Sequence, residues 1–393
     1  MKTPLLAITL LTAAVGIAHA TEGPLLAAGV RDQIANGVVS AAAPTGNIER
    51  APVQFSWAID PYQPLAASAP HVSQSREYWQ TVDAATLQRG VAVRTSAPGA
   101  LIRVSPSRNA RAIDVTEVRV LSAGREAAIE RRTSSAQLQA ANMPVPDGTA
   151  AVQLTSTQRA GTYQVQVADA RGDYVVHVYE PQSSVRLSLA MGRDREFAGG
   201  RGNVAVGLHD GAMRMPGLRA SGLLVSPTGE SWPLKLTPSS AGMLEGDVPV
   251  PADAQSAPGL WEVQVFASDS SGLQRDGRTA FAVSRPTARL AGDFAFDTRR
   301  LRFDLPVQAG ASGRYEARGT LYATAADGVL RPVSVAHSAA WFAPGMRSLA
   351  LAFDRAHVPA GFGAPFELRE LELNDQSRNA PLERRARAVA GLR

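Results

Sequence analysis

The chain has 393 residues, 45% hydrophobic and 19% charged, with 34 glycines, 26 prolines and no cysteine. That balance excludes a collagen-like, low-complexity or coiled-coil chain and leaves apolar material for packed cores in two or three domains. The formal net charge of +5 rests on arginine, since Lys2 and Lys235 are the only lysines; the bases are interspersed with acids, so nucleic-acid binding is not expected.

Residues 1–20 read as a signal peptide. Lys2 supplies the positive start, Leu5 to Ile17 is apolar apart from small or hydroxyl side chains, and Ala18-His19-Ala20 gives the small-x-small cleavage pattern. The run is short for a span of ~30 Å of hydrocarbon, and no later stretch approaches ~18 uninterrupted apolar residues. The expectation is an exported chain, periplasmic or extracellular, without a membrane span. The missing cysteine removes disulfides, lipid acylation, thiolate nucleophiles and cysteine metal ligands.

Residues 21–89, rich in Ala, Pro, Gly and Ser, read as an irregular N-terminal arm with Phe55, Trp57 and Tyr62 as scattered anchors. Ser75 and Asp83 are candidate helix caps, and Asp83 to Gly90 reads as one short helix ending at glycine. From Val91 the period becomes two. Residues 90–181 form a first β-sandwich, with strands expected at Val91–Arg94, Leu101–Val104, Val115–Leu121, Ala151–Leu154, Tyr163–Val167 and Tyr174–Tyr179, and a short helical insertion over Ser134–Asn142.

An internal repeat extends the pattern. Gly161-Thr-Tyr163-Gln-Val165-Gln-Val167 is echoed by Gly259-Leu-Trp261-Glu-Val263-Gln-Val265, each placing an aromatic and two valines on one strand face. The copies lie about one hundred residues apart, the size of one immunoglobulin-like sandwich. Pro181 and Pro286 follow the closing strand of each copy, so residues 182–286 read as a second, immunoglobulin-like sandwich. Residues 287–393 read as a third. There Leu301, Phe303 and Leu305 alternate with charged residues, Tyr315–Tyr322 is a strand and Asp327-Gly328 is a turn. Between Leu368 and Leu371 the apolar phase shifts, which predicts a bulge. The tail after Leu382 either closes the last sheet or frays.

The chemical motifs are sparse. There is no G-x-S-x-G elbow, no H-E-x-x-H and no calcium loop. His177 is explained by outward alternation within its strand. His209-Asp-Gly-Ala-Met213-Arg-Met215 is the one cluster that could suit copper, and a glycine-rich loop with gap-filling methionines explains it better. No cofactor and no metal are expected. Gly199-Gly-Arg-Gly202 lacks the helix and lysine of a phosphate loop, so it reads as a hairpin connection between Phe197 and Val204.

The runs Ser75-Arg-Glu-Tyr78-Trp79, Gly90-Val-Ala-Val, Ala100-Leu-Ile-Arg-Val-Ser-Pro106, Gly161-Thr-Tyr163, Gly259-Leu-Trp261-Glu-Val263 and Phe366-Glu-Leu368-Arg, with the closing Leu373-Asn-Asp375-Gln, carry a resemblance. From about Ser75 to Arg387 the chain resembles an exported bacterial family known as domain of unknown function 4785. The resemblance implies immunoglobulin-like modules and brings no catalytic residue.

The expected fold is all-β, tandem immunoglobulin-like sandwiches behind a short, partly helical arm. The expected role is non-enzymatic binding of a protein or glycan of the cell envelope or an external surface. Contact residues are sought at His209, Met213, Met215, Trp232 and Trp341, and in the 209–218 and 343–346 loops. Two alternatives stand: an exported hydrolase with a loop-borne or domain-junction site, and a carbohydrate-binding module with coplanar aromatics on an outer face. The hydrolase predicts a pocket holding histidine and carboxylate within hydrogen-bond reach.

Overall fold

A computed structural model of the chain describes residues 21–63, 65, 71–240, 242–254 and 259–393. The leader expected over residues 1–20 lies outside them. Among the described residues antiparallel strands dominate, and the two α-helices, Ala84–Arg89 and Ser135–Ala140, have six residues each. Among the described residues, no helix is long and apolar enough to cross a membrane. The chain divides into two compact units: Met1–Ala67 with Ser284–Arg393, and Ser68–Val283. Three apolar cores form, within residues 78–178, 185–283 and 288–392. The fold is all-β, built of tandem β-sandwiches, as the period-two alternation requires.

In the unit Ser68–Val283, one sheet of the first sandwich runs Glu77–Asp83, Asp173–Tyr179, Leu101–Pro106, Ala150–Leu154, Ile129–Ser134. Val91–Thr95, Gly161–Gln166 and Arg119–Ser122 face it from a second sheet. Alternation sends Tyr78, Ile102, Val104, Tyr163, Val165, Val176 and Val178 into the core between them. The helix Ala84–Arg89 forms where capping predicts. The Asp83 carboxylate accepts from the Thr86 amide at 2.7 Å, Gly90 ends the helix at a φ of 110°, and Leu87 is buried. Ser134 and Gln137 close a capping box on the second helix.

The 21–89 segment, read as an irregular arm, departs from that reading: Thr21–Gly23 and Val53–Ala58 are strands. Ser75 caps no helix and instead ends the short strand Ser73–Ser75. Glu77–Asp83 is a strand, paired residue for residue along Asp173–Tyr179. Tyr78 drives this: its ring is buried and its hydroxyl donates to the Arg94 carbonyl at 3.1 Å.

The second sandwich of this unit pairs Ser231–Leu234, Arg219–Val225, Trp261–Ser268 and Gln274–Ser284 in one sheet. Its other sheet runs Leu244–Pro249, Arg201–Asp210, Val185–Met191, Ser73–Ser75. Both copies of the repeat bury their predicted residues, Tyr163, Val165 and Val167 in one core and Trp261, Val263 and Val265 in the next. Gly199–Gly202 does turn the chain, with the Gly200 amide donating to the Phe197 carbonyl at 2.8 Å. It does not close a hairpin, however. Arg195–Phe197 pairs with Gln274–Ser284, and the Asp194 carbonyl accepts from the Ala282 amide, so the chain changes sheets at the glycines.

A buried ionic knot ties the two sandwiches of this unit. Glu180 ends the first and Arg275 belongs to the second, and both side chains are fully buried and in contact. Glu180 also accepts from the amides of Ser96 and Ala97, at 2.5 and 3.0 Å. The Arg275 guanidinium donates to the Ser96 and Ser183 hydroxyls and to the Gln274 and Val185 carbonyls. Every charged atom of the knot therefore finds a partner, the condition under which a buried pair is tolerated.

In the other unit, Arg302–Ala309 pairs with Gly345–Ala352 along one edge, and with Phe294–Asp297 and Ala288–Leu290 along the other. The facing sheet runs Val53–Ala58, Leu330–Phe342, Gly313–Ala325, Phe362–Asp375, Ala380–Leu392. Leu301, Phe303 and Leu305 are buried together with Phe296, whose ring centroid lies 4.4 Å from that of Phe303. The phase shift after Leu368 is a bulge: the register slips there and Glu370 takes a φ of 45°, which keeps both Leu368 and Leu371 inward. The tail forms the strand Ala380–Leu392 and closes the sheet. Tyr315 donates to the Ala311 carbonyl at 2.8 Å, four residues upstream, as Tyr163 does to Arg159 at 2.5 Å. These are corner bonds of the immunoglobulin type.

Glu383, on the tail strand, is buried and accepts from the Leu290 amide at 3.1 Å. Burial pushes its carboxyl up to about 7, against the opposing pull of Arg385. Because the folded carboxyl binds its proton more tightly than the unfolded one, this contribution is full below the unfolded value near 4.5 and is lost as pH rises through 7. Stability should therefore fall between pH 5 and pH 8, with Glu383 accounting for on the order of 3 kcal/mol. Glu383→Gln should flatten the dependence. Denaturant titrations of both chains at the two pH values check this, and parallel pH profiles would refute it.

Candidate functional site

The strand Val53–Ala58 lies at the edge of its sheet and pairs along Leu330–Phe342, from Val53 opposite Ala339 to Ala58 opposite Ser334. Its inward side is held by hydroxyls: Ser56 Oγ accepts from the Asp354 amide at 3.1 Å, and Ser334 Oγ donates to the Trp57 carbonyl at 2.9 Å. Alternation then sends Val53, Phe55 and Trp57 to the outer face. They remain 43%, 52% and 39% exposed.

Opposite Phe55 stands His337. The three rings touch one another and are close to parallel. Phe55 and His337 have centroids 5.4 Å apart at 5°, Trp57 and His337 are 5.1 Å apart at 24°, and Phe55 and Trp57 are 5.8 Å apart at 20°. The imidazole is oriented from the next strand, where Glu316 Oε1 lies 2.6 Å from His337 Nδ1. Arg318 pairs with His337 across the ladder and is exposed.

Four residues further along Leu330–Phe342, roughly 13 Å at strand rise, alternation puts Trp341 on the same outer face, where the Arg50 guanidinium lies 4.4 Å above its ring. The face thus offers parallel aromatic rings beside a carboxylate, an imidazole and a guanidinium, on strands locked by a ladder. A sheet edge with a row of exposed apolar side chains is an aggregation hazard unless it serves as a contact surface.

Of the contact residues sought in the sequence, only Trp341 lies on this face, beside Phe55 and Trp57, which the sequence offered as anchors of the arm. His209 is the penultimate residue of the strand Arg201–Asp210 with its Nε2 3.0 Å from Ser188 Oγ, and burial lowers its pKa, reinforced by Arg186 and Arg214. The 209–218 segment is no long loop but a tight hairpin, pairing His209 with Arg214 and Asp210 with Met213. That register puts the imidazole on one face and both thioethers on the other. Met213 is 71% exposed, and Met215 packs against the second core.

Trp232 stacks on Trp261 at 5.5 Å and 21°. The 343–346 connection shrinks to Ala343 and Pro344 between two strands, with Met346 exposed at the start of the second. Phe55, Trp57 and His337 were missed as a group. The available signal was the alternation Val53-x-Phe55-x-Trp57, hidden inside an Ala/Pro-rich segment.

The fold and this face define a multidomain, all-β sandwich protein with an exposed aromatic sheet surface. Family models described as the N-terminal domain and the C-terminal domain of a domain of unknown function (DUF4785) match residues 44–180 and 287–393, well over half of the chain, and the chain belongs to that family. Among solved structures, a DUF4785 family protein from Legionella pneumophila is similar at a TM-score of 0.67 with 19% identity, over 91% of this chain and 98% of that one. Two structures of alpha-2-macroglobulin from Escherichia coli, native and trypsin activated, match at 14% identity with TM-scores of 0.29 and 0.22, over 20% and 22% of their length and 74% and 75% of this chain. A search of curated proteins finds no match.

Proposed function

We propose that the protein is an exported, non-enzymatic binding protein that contacts a glycan of the cell envelope or an external surface through the Phe55–Trp57–His337 face. The single observation that carries the reading is the set of near-parallel rings on a ladder-locked sheet face, with Phe55 and Trp57 half-exposed. Such rings offer apolar surface to the C–H face of a pyranose, while Glu316 and Arg318 supply hydrogen bonds to its hydroxyls. The leader read over residues 1–20 supports export.

The hydrolase alternative finds histidine–carboxylate pairs in His177–Glu77, 2.8 Å apart, and His337–Glu316, 2.6 Å apart, but among the described residues neither imidazole is hydrogen-bonded to a hydroxyl it could activate. The test is an array of neutral oligosaccharides followed by titration of the best ligand, with tryptophan fluorescence as the signal. Binding should appear and should weaken about tenfold in Trp57→Ala, the loss expected for one stacking ring. An empty array, or equal affinity of the variant, would overturn the reading.

A further inference from the structure

A second surface, in the unit Ser68–Val283, has a different chemistry. An open groove of about 830 Å³ runs over the outer face of the first sandwich and is walled by Arg278 and Gly277 of the second. Its floor is set by register. Trp79, His177 and Arg103 stand side by side on three adjacent strands, and Glu77 and Tyr179 form the next row. The side chains divide into spent and unspent groups. Glu77 is engaged by His177, which holds its carboxyl below the usual carboxylate range, with Arg103 and Arg278 adding to the pull through space.

The Arg103 guanidinium makes no hydrogen bond among the described residues, and its Nε is buried without a partner. A half-buried guanidinium with an orphaned donor is a costly arrangement, and an anion resolves it. Arg278 reaches Glu262 only at 3.4 Å and is largely exposed, so a second cation overlooks the same groove. Trp79 and Tyr179 supply aromatic surface between the two, and Tyr179 is 37% exposed.

We propose that this groove binds an acidic saccharide, with one oxyanion on Arg103, Arg278 at the far side for a second, and the sugar face on Trp79 and Tyr179 between them. A planar fork suits carboxylate and sulfate alike, and the two sources are separated by probe. The inference does not rest on the Phe55–Trp57–His337 face, which shares no residue with it. The full chain is titrated calorimetrically with trigalacturonate, its methyl ester, a sulfated disaccharide and inorganic sulfate.

Trigalacturonate or the sulfated disaccharide should bind, and whichever binds more tightly names the anion. The methyl ester and free sulfate should bind at least about tenfold more weakly, the worth of one charge-assisted hydrogen bond. Arg103→Gln should lower affinity by about 10–100-fold with an unchanged unfolding midpoint, while Arg103→Lys recovers part of it and Trp57→Ala leaves it unaltered. No binding of either acidic sugar, equal binding of the ester or of sulfate, or an indifferent Arg103→Gln would each overturn the proposal. If Arg103→Gln fails to fold, the ester and sulfate comparisons on the unaltered chain decide.

Discussion

Replacing Glu180 by Ala should destabilise the protein by roughly 3–5 kcal/mol, the cost of stranding a charge in a protein interior. Arg275 would keep its position, since its Nε and two other donors still find the Val185 and Gln274 carbonyls and the serine hydroxyls. Its charge, however, would have no counter-ion, and the Ser96 and Ala97 amides would lose their acceptor. The control is the Arg119–Glu126 pair, whose side chains are 56% and 66% exposed. Arg119→Ala should change stability by no more than about 0.5 kcal/mol, because water already solvates both partners.

A Glu180→Met, Arg275→Met double replacement should recover much of the loss, since two apolar side chains of similar volume leave no bare charge. Urea titrations of the four chains measure this, and a Glu180→Ala cost below about 1 kcal/mol, the scale of an exposed pair, would show that solvent reaches the knot.

The paired change Phe55→Ala and Trp57→Ala should have the opposite signature, abolishing neutral-saccharide binding while leaving stability almost untouched. Each ring buried against a sugar is worth about 1.5–3 kcal/mol, so the pair should cost at least 100-fold in affinity. Both rings are exposed already, and the backbone ladder from Val53 to Ala58 does not depend on them. Binding is read by titration and stability by thermal unfolding. A drop in midpoint parallel to the loss of affinity would make the rings structural, and retained affinity would remove them from the site. Their removal should also lower any tendency of the isolated chain to associate, since an exposed apolar edge is the usual template for strand addition.

How much was legible depended on whether the deciding interaction was local. The helix Ala84–Arg89 could be read because Asp83 and Gly90 act within one turn of it. The bulge at Glu370 could be read because Leu368 and Leu371, both inward, cannot share a face of a regular strand. The hairpin expected at Gly199–Gly202 failed for the complementary reason: glycine specifies that the chain turns, and the partner of the preceding strand Arg195–Phe197 lies more than seventy residues away in Gln274–Ser284. The hairpin register, invisible in one sequence, splits His209 from Met213 and Met215 between two faces.

The sequence alone therefore determined the class of fold, because alternation with a period of two and an aromatic–valine repeat are properties of single strands. It also excluded cysteine chemistry outright. Only the tertiary structure decided which alternating faces stay uncovered and which charges are spent. Phe55 and Trp57 have the same pattern as core residues and are exposed because their strand is an edge with sheet on one side and nothing described over its outer face. Glu180 finds Arg275 at a distance of 95 residues, and Arg103 is left unpaired because His177 has taken Glu77. Burial and pairing of this kind are set by what lands opposite a residue in the ladder, and register is a property of two strands rather than one.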